Sequence, residues 1–154
     1  MKMIDYKTYT KPSDFVKFAE GKTTLQIISN GILVKKHGMK TAQRYVPLGI
    51  CTERPDCQFC RDGNEPKMKW SWIVCLPETK EVKLLDAGVM IGNQICEIAK
   101  VSGDPQEYEI VINRSGTGRQ TKYTVTKGEK CKLSPVDLKM FEPQKAFLKN
   151  KYFK

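Results

Sequence analysis

The sequence predicts a mainly β domain: a five-stranded barrel with one helix, an inserted metal-binding loop and a basic C-terminal arm. Three observations predict it. Short runs of Val, Ile, Thr and aromatic residues alternate with turn signals, the pattern of strands. One segment, Val89–Val101, instead repeats its apolar residues at helical spacing. The length of 154 residues suits one domain with a sizeable core.

The elements follow in order. Thr23–Ser29 is the first expected strand and rises into the turn signal Asn30-Gly31. Ile32–Lys36 continues it, either as a second extended piece or as the same strand after a bend. Tyr45–Ile50 is the next strand and enters a cysteine-rich loop. Trp70–Leu76 and Glu81–Leu85 flank Pro77-Glu78-Thr79-Lys80, a spacing that suggests a hairpin. In Val89–Val101, Met90, Ile91, Gln94-Ile95 and Ile98-Ala99 mark one helix, bounded by Gly88 and Gly103. Tyr108–Asn113 and Lys122–Thr126 are strand patterns joined by Arg114–Gln120, a loop with two glycines. From Leu133 onward, Pro135, Pro143 and scattered aromatics suggest a short helix or an arm packed loosely on the barrel. About five strands with a helix before the last two is the content of a small closed barrel such as the OB-fold. The expected organisation is a lead-in over 1–21, the barrel over 22–126 with its metal loop at 37–60, and the basic arm over 127–154.

Composition excludes some classes. The hydrophobic fraction of 40% and charged fraction of 29% are ordinary for a globular chain. No apolar run approaches the roughly 18 residues that span a bilayer, so no membrane role is expected. Met1–Phe15 mixes Lys2, Asp5, Lys7, Lys11 and Asp14 with single apolar residues and lacks the apolar stretch of a secretory signal. A cytoplasmic location follows as the expectation. In that reducing setting the six cysteines suit metal ligation or burial better than disulfides.

The net charge of +10 is unevenly spread. Lys22–Ile50 holds Lys22, Lys35, Lys36, Lys40 and Arg44 and no carboxylate, giving +5. Lys127–Lys154 holds eight lysines against Glu129, Asp137 and Glu142, again +5. The middle is nearly neutral. Local cationic excess displaces counterions condensed on phosphates, which makes nucleic acid the leading partner over a merely solvated lysine surface.

The chemistry concentrates in His37, Cys51, Cys57 and Cys60. A Cys-x2-Cys pair offers two thiolates to one metal from a single tight turn, and Cys51 and His37 complete a tetrahedral set. The competing thioredoxin-like redox pair expects a βαβ context, absent from this pattern. The expected cofactor is one structural Zn2+, since Cys3His ligation leaves no open position. His37 follows Lys35-Lys36, so its other role is a solvent-exposed or DNA-facing side chain. Cys75, Cys96 and Cys131 are expected as buried thiols.

Cations and flat rings interleave, as sequence-tolerant single-strand binding requires. Arg44-Tyr45 leads into the cysteine loop, Lys67, Lys69, Trp70 and Trp72 leave it, and Arg119, Lys122 and Tyr123 follow the last turn. Trp70 and Trp72 share a strand face. Both can be core, with at most one facing a groove. Arg114 and Arg119 flank the Gly116–Gly118 turn and are placed for phosphate contact. The Ser-Gly-Thr-Gly sequence there lacks the Gly-Lys-Ser/Thr ending of a P-loop, which speaks against nucleotide hydrolysis. No catalytic residues are expected: there is one histidine, no recognisable carboxylate pair and a closed metal site.

These residues resemble the zinc-containing single-stranded DNA-binding proteins of tailed bacteriophages, the T4-type helix-destabilising group. The likeness lies in the order His37, Cys51, Cys57, Cys60 and in the run from Trp70-Ser-Trp72 and Val82-Lys-Leu-Leu85 to Asp104-Pro105 and Tyr108–Tyr123. It covers about residues 22–126, two-thirds of the chain. The resemblance implies an OB-fold with structural zinc, working in the host cytoplasm. Its implied role is to coat single-stranded DNA with little sequence preference in phage replication, recombination and repair. It implies DNA contacts among Arg44, Tyr45, Trp72, Arg114, Arg119 and Tyr123, to which the cations Lys35, Lys36, Lys40, Lys69 and Lys122 are added. Replication or recombination proteins are the implied protein partners. The family ends in an acidic tail, whereas this sequence ends Lys149-Asn-Lys-Tyr-Phe-Lys154. A basic end would add DNA affinity or serve another acidic partner. The alternative function is a zinc-stabilised OB-fold interaction protein that binds a polymerase or other replication or transcription protein.

Overall fold

The β-branched and aromatic runs form seven strands in the computed structural model, which describes residues 3, 5–7, 13–53 and 55–153. The strands are β1 (Gly21–Ile27), β2 (Ile32–Lys40), β3 (Tyr45–Ile50), β4 (Lys67–Leu76), β5 (Glu81–Ala87), β6 (Tyr108–Ser115) and β7 (Lys122–Lys130). The helices are α1 (Gln58–Arg61), α2 (Val89–Ser102) and α3 (Pro135–Tyr152).

β1 and β2 are two halves of one bent strand along a single edge of β4. The ladder runs Gln26↔Cys75 and Ile27↔Val74, then resumes from Ile32↔Ser71 to Lys36↔Lys67. Across the bend, the Ile28 N–H donates to the Ile73 carbonyl at 2.9 Å and the Ser29 hydroxyl accepts the Ile73 N–H at 2.8 Å. Gly31 is required there, because a Cβ at that position would overlap the Trp72 indole. Ile32–Lys36 lies in a second extended piece, β2, that follows β1 along β4 after the bend.

The sheet order is β3-β2-β4-β1-β6-β7, with β5 on the other edge of β4, and every named ladder is antiparallel. The expected five-stranded closed barrel is therefore corrected to an open, mainly β sheet of seven strands. No ladder joins β5 to β7 among the described residues, and both edges have other partners. On β7, the Gln94 amide of α2 takes the place of a strand: its Nε2 donates to the Tyr123 carbonyl at 2.8 Å and its Oε1 accepts the Val125 N–H at 2.9 Å. On β5, the Leu84 N–H donates to the Asp14 carbonyl at 2.7 Å, and Leu84 O accepts the Val16 N–H at 3.0 Å. The same lead-in then reaches β6 and β7, where the Phe18 carbonyl accepts Arg114 Nη1 at 2.7 Å and the Phe18 ring meets Tyr123 edge-on.

Two apolar layers result. Leu25, Ile27, Trp72, Val74, Leu85, Ile110 and Ile112 face α2, which contributes Ile91 and Ile95. Gly92 lets α2 approach the sheet, since a Cβ there would overlap the Trp70 ring. On the opposite face, Ile73, Cys75, Val82 and Leu84 lie under Phe141 and Leu148 of α3. Of the two forms expected here, a short helix or a loose arm, a helix is observed, 18 residues long and docked on the sheet, and β7 crosses the expected boundary at 126/127. Ser134 and Asp137 form a reciprocal capping box at its start, each satisfying the other's backbone N–H at 3.1 Å. At its end Asp14 accepts Lys151 Nζ at 3.0 Å and the Tyr152 hydroxyl at 2.8 Å, tying the helix to the lead-in. Among the described residues no helix is long and apolar enough to cross a membrane.

Candidate metal centre

The β2–β3 hairpin and the turn that follows bring four ligand atoms together. His37 sits at a register shift in β2, where the ladder to β3 slips by one residue before Gly38. Cys51 follows the last residue of β3, and its N–H is held by the Lys35 carbonyl at 2.8 Å. Cys57 caps α1 and Cys60 lies within it. Past the C-cap Asp62 the chain turns at Gly63, whose φ of 84° suits glycine, and its N–H returns to the Cys60 carbonyl at 3.1 Å.

The ligand atoms of His37, Cys51, Cys57 and Cys60 all lie within 4.8 Å of one another. Nε2 of His37 stands 3.2 Å from Cys57 Sγ and 3.5 Å from Cys60 Sγ, and Cys51 Sγ is 3.5 Å from Cys60 Sγ. Bond lengths of about 2.3 Å to sulfur and 2.0–2.1 Å to nitrogen put tetrahedral ligands roughly 3.5–3.8 Å apart, so the donor set fits and can hold a metal ion. His37 is 1% exposed, which corrects the alternative of a solvent-facing ring.

The electrostatics suit a cation. At Cys57 burial opposes ionisation, but the Cys60 and Thr52 backbone groups and the two neighbouring thiols outweigh it, lowering the thiol to about 6. Burial pushes Cys51 the other way. Cys51 and Cys57, driven in opposite directions in one small space, would both be relieved by a bound positive ion.

Asn64, which the sequence did not single out, completes the arrangement. Its Nδ2 donates to the Gly38 carbonyl at 2.8 Å, which turns its Oδ1 toward His37 Nδ1 at 2.7 Å. The only signal in the sequence is its place directly after the Cys-x2-Cys turn. Of the remaining cysteines, Cys75 is buried, as expected, while Cys96 and Cys131 are only partly so.

The expected DNA contacts divide into groups. Pairing and strand alternation put Lys36 and Lys40 of β2, Tyr45 of β3, and Lys67 and Lys69 of β4 on one face. Lys67, outside the expected contact set, stands 5.5 Å over the Tyr45 ring, and that ring is 46% exposed. Lys69 approaches Gly88 at the start of α2, where an added Cβ would lie 3.7 Å from its Nζ. Met90, two residues on, accepts the Tyr123 N–H at 3.4 Å. Arg44 is exposed in the β2–β3 turn, and Arg119 and Lys122 are exposed beyond β6. Lys35 points to the opposite face, 3.9 Å from Glu53.

Three of the expected contacts lie buried or partly buried. Trp72 is only 5% exposed, because the alternation that puts Trp70 against α2 puts Trp72 in the same core. Arg114 is half-buried and spends Nη1 on the Phe18 carbonyl. Tyr123 packs partly buried on that core beside Phe18. Comparison of the chain with family models, curated proteins and solved structures returned no match. The fold and site define a mainly β protein with a candidate metal centre beside a cationic, tyrosine-bearing strand face.

Proposed function

We propose that this protein binds and protects single-stranded DNA with little sequence preference and without catalysis, as the zinc-containing phage proteins it resembles do in replication, recombination and repair. The observation that carries the reading is the shared face of Lys36, Lys40, Tyr45, Lys67 and Lys69, where Lys67 stands over the exposed Tyr45 ring and Lys36 lies 3.9 Å from Asp86. Phosphates would follow the lysines while a base stacks on Tyr45. The OB-fold reading is supported by the order β5-β4-β1-β6-β7 with α2 between β5 and β6. In that fold, which is itself partly open, the face of the second and third strands and the first and last connecting loops take up oligonucleotides. Of those parts, the β2–β3 hairpin and the Arg119 turn are open here, whereas α3 lies on the β4–β5 face. Zinc is the metal we assign, because thiolate and imidazole donors in a closed tetrahedral set suit a structural ion.

Fluorescence anisotropy with labelled dT oligomers, duplex DNA and RNA at two salt concentrations tests the reading. Four phosphate contacts predict a loss of about 50-fold between 50 and 200 mM salt, and single-stranded DNA is the preferred ligand. Equal or tighter binding of duplex, or no salt dependence, would sink it. A second reading, an interaction protein for a polymerase or other replication or transcription protein, is favoured by one observation. A cleft of about 760 Å³ opens between β2 and the end of α3, where Phe15, Ile32, Val34, Ile50 and Phe153 are joined by Lys35, Lys36, Glu53 and Lys151. Absence of oligonucleotide binding at low salt would select it.

A further inference from the structure

We propose that Asn64 is a positioning residue of the metal centre: it fixes the tautomer and orientation of His37 so that Nε2 presents its lone pair to the metal. The inference rests on the metal reading above and assigns a role that the four ligands do not themselves explain.

An amide side chain can turn either end toward its neighbour, so its orientation must be decided by its partners. Here the Gly38 carbonyl, 2.8 Å from Nδ2, accepts only from a donor. The NH2 end therefore faces Gly38 and the oxygen faces His37, 2.7 Å from Nδ1. An amide oxygen at that distance accepts a hydrogen bond, so Nδ1 carries the hydrogen. Neutral imidazole has one ring hydrogen, which leaves Nε2 as the free donor atom on the side of Cys57 and Cys60. With His37 1% exposed, solvent is poorly placed to replace Asn64 as acceptor. Without it, the ring would leave a buried N–H unpaired or move its proton to the nitrogen that faces the sulfurs.

Asn64 is itself held. Its backbone N–H donates to the Phe59 carbonyl at 3.0 Å, just beyond α1, and the Phe59 ring stands 5.3 Å from the His37 ring. The turn that carries two of the thiols therefore also carries the group that aims the histidine. Outer partners of this kind typically change metal affinity by 10–100-fold.

The test uses the full chain and cobalt(II), whose visible bands report tetrahedral coordination. Chelator competition measures affinity for the unaltered protein, Asn64→Leu and Asn64→Asp. Asn64→Leu keeps the side-chain size but removes the acceptor, and is expected to lose 10–100-fold in affinity with a changed visible spectrum. Asn64→Asp keeps an oxygen for Nδ1 but gives up the donor to Gly38, and is expected to recover most of that loss. A residue that merely stapled the turn to Gly38 would fail in both variants alike. Cobalt binding by Asn64→Leu within about threefold of the unaltered protein, or an equal loss in Asn64→Asp, overturns the role. Failure of the unaltered protein to bind cobalt removes the metal centre and this role together, a result visible before any variant is compared.

Discussion

The Tyr45 side chain occupies the space over Gly38, so closely that a Cβ on that glycine would overlap the phenol. Gly38 is also the residue after His37 and the acceptor for Asn64, so the ring rests on backbone belonging to the metal centre. Gly38→Ala is expected to push Tyr45 off its seat. If a base stacks on that ring, Tyr45→Ala costs about 1–3 kcal/mol of binding, and Gly38→Ala should lose a comparable amount. Anisotropy with dT oligomers on both variants checks it. Unchanged affinity in both would remove Tyr45 from the binding face.

Metal removal should loosen the same hairpin. β3 pairs only with β2 among the described strands, and Val46 is its only residue not exposed, so little apolar burial holds it. An ion present at 100 times its dissociation constant stabilises the folded state by about 2.7 kcal/mol. For a domain of this size that corresponds to a shift of roughly 5–10 °C in Tm. Chelation should produce that fall, and Cys57→Ser should reproduce it with loss of one equivalent of zinc by elemental analysis. A metal-free preparation with the same Tm as the loaded one would contradict the assignment.

Trp72→Ala separates core from groove. The indole is 5% exposed and covers Gly31, so truncation leaves a cavity and should cost about 3–5 kcal/mol. Denaturant unfolding is the measurement. A stability change near zero with a large loss of DNA affinity would return Trp72 to the binding surface.

How much of this was legible in the sequence depends on whether a feature is local. β3 is found at Tyr45–Ile50 as expected, and the four ligands meet as their spacing implied, because strand propensity and knuckle spacing are written in neighbouring residues. The docking of α3 was not legible. Its buried side chains are only Phe141 and Leu148, seven positions apart among lysines, and their contact surface comes from β4 and β5 far away in sequence. The docking of the lead-in is not legible for a similar reason, since Val16 and Phe18 show their use only once β5 and β7 stand on either side. Arg114 and Arg119 look alike beside their glycines, yet one is bound to a carbonyl 96 residues away. Asn64 acts across 27 residues through an orientation decided by a third group, which no spacing rule records.

The contrast between Lys67 and Arg114 gives the sharpest test of which cations a bound single strand would meet. Lys67 stands over Tyr45 on the exposed face, whereas Arg114 is half-buried with its guanidinium on the Phe18 carbonyl. Removing one cation that neutralises a phosphate of a single strand should lower the slope of log affinity against log salt by about 0.7. Lys67→Ala is expected to show that drop while melting like the unaltered protein. Arg114→Ala is expected to keep the slope but lose stability, because it strips the Phe18 carbonyl of its donor and frees the lead-in from β6. Salt titrations of oligonucleotide affinity, run beside thermal melts of the same two variants, decide it. If Arg114→Ala lowers the slope while Lys67→Ala leaves it unchanged, the strand follows the β6–β7 side of the sheet instead of the β2–β4 face.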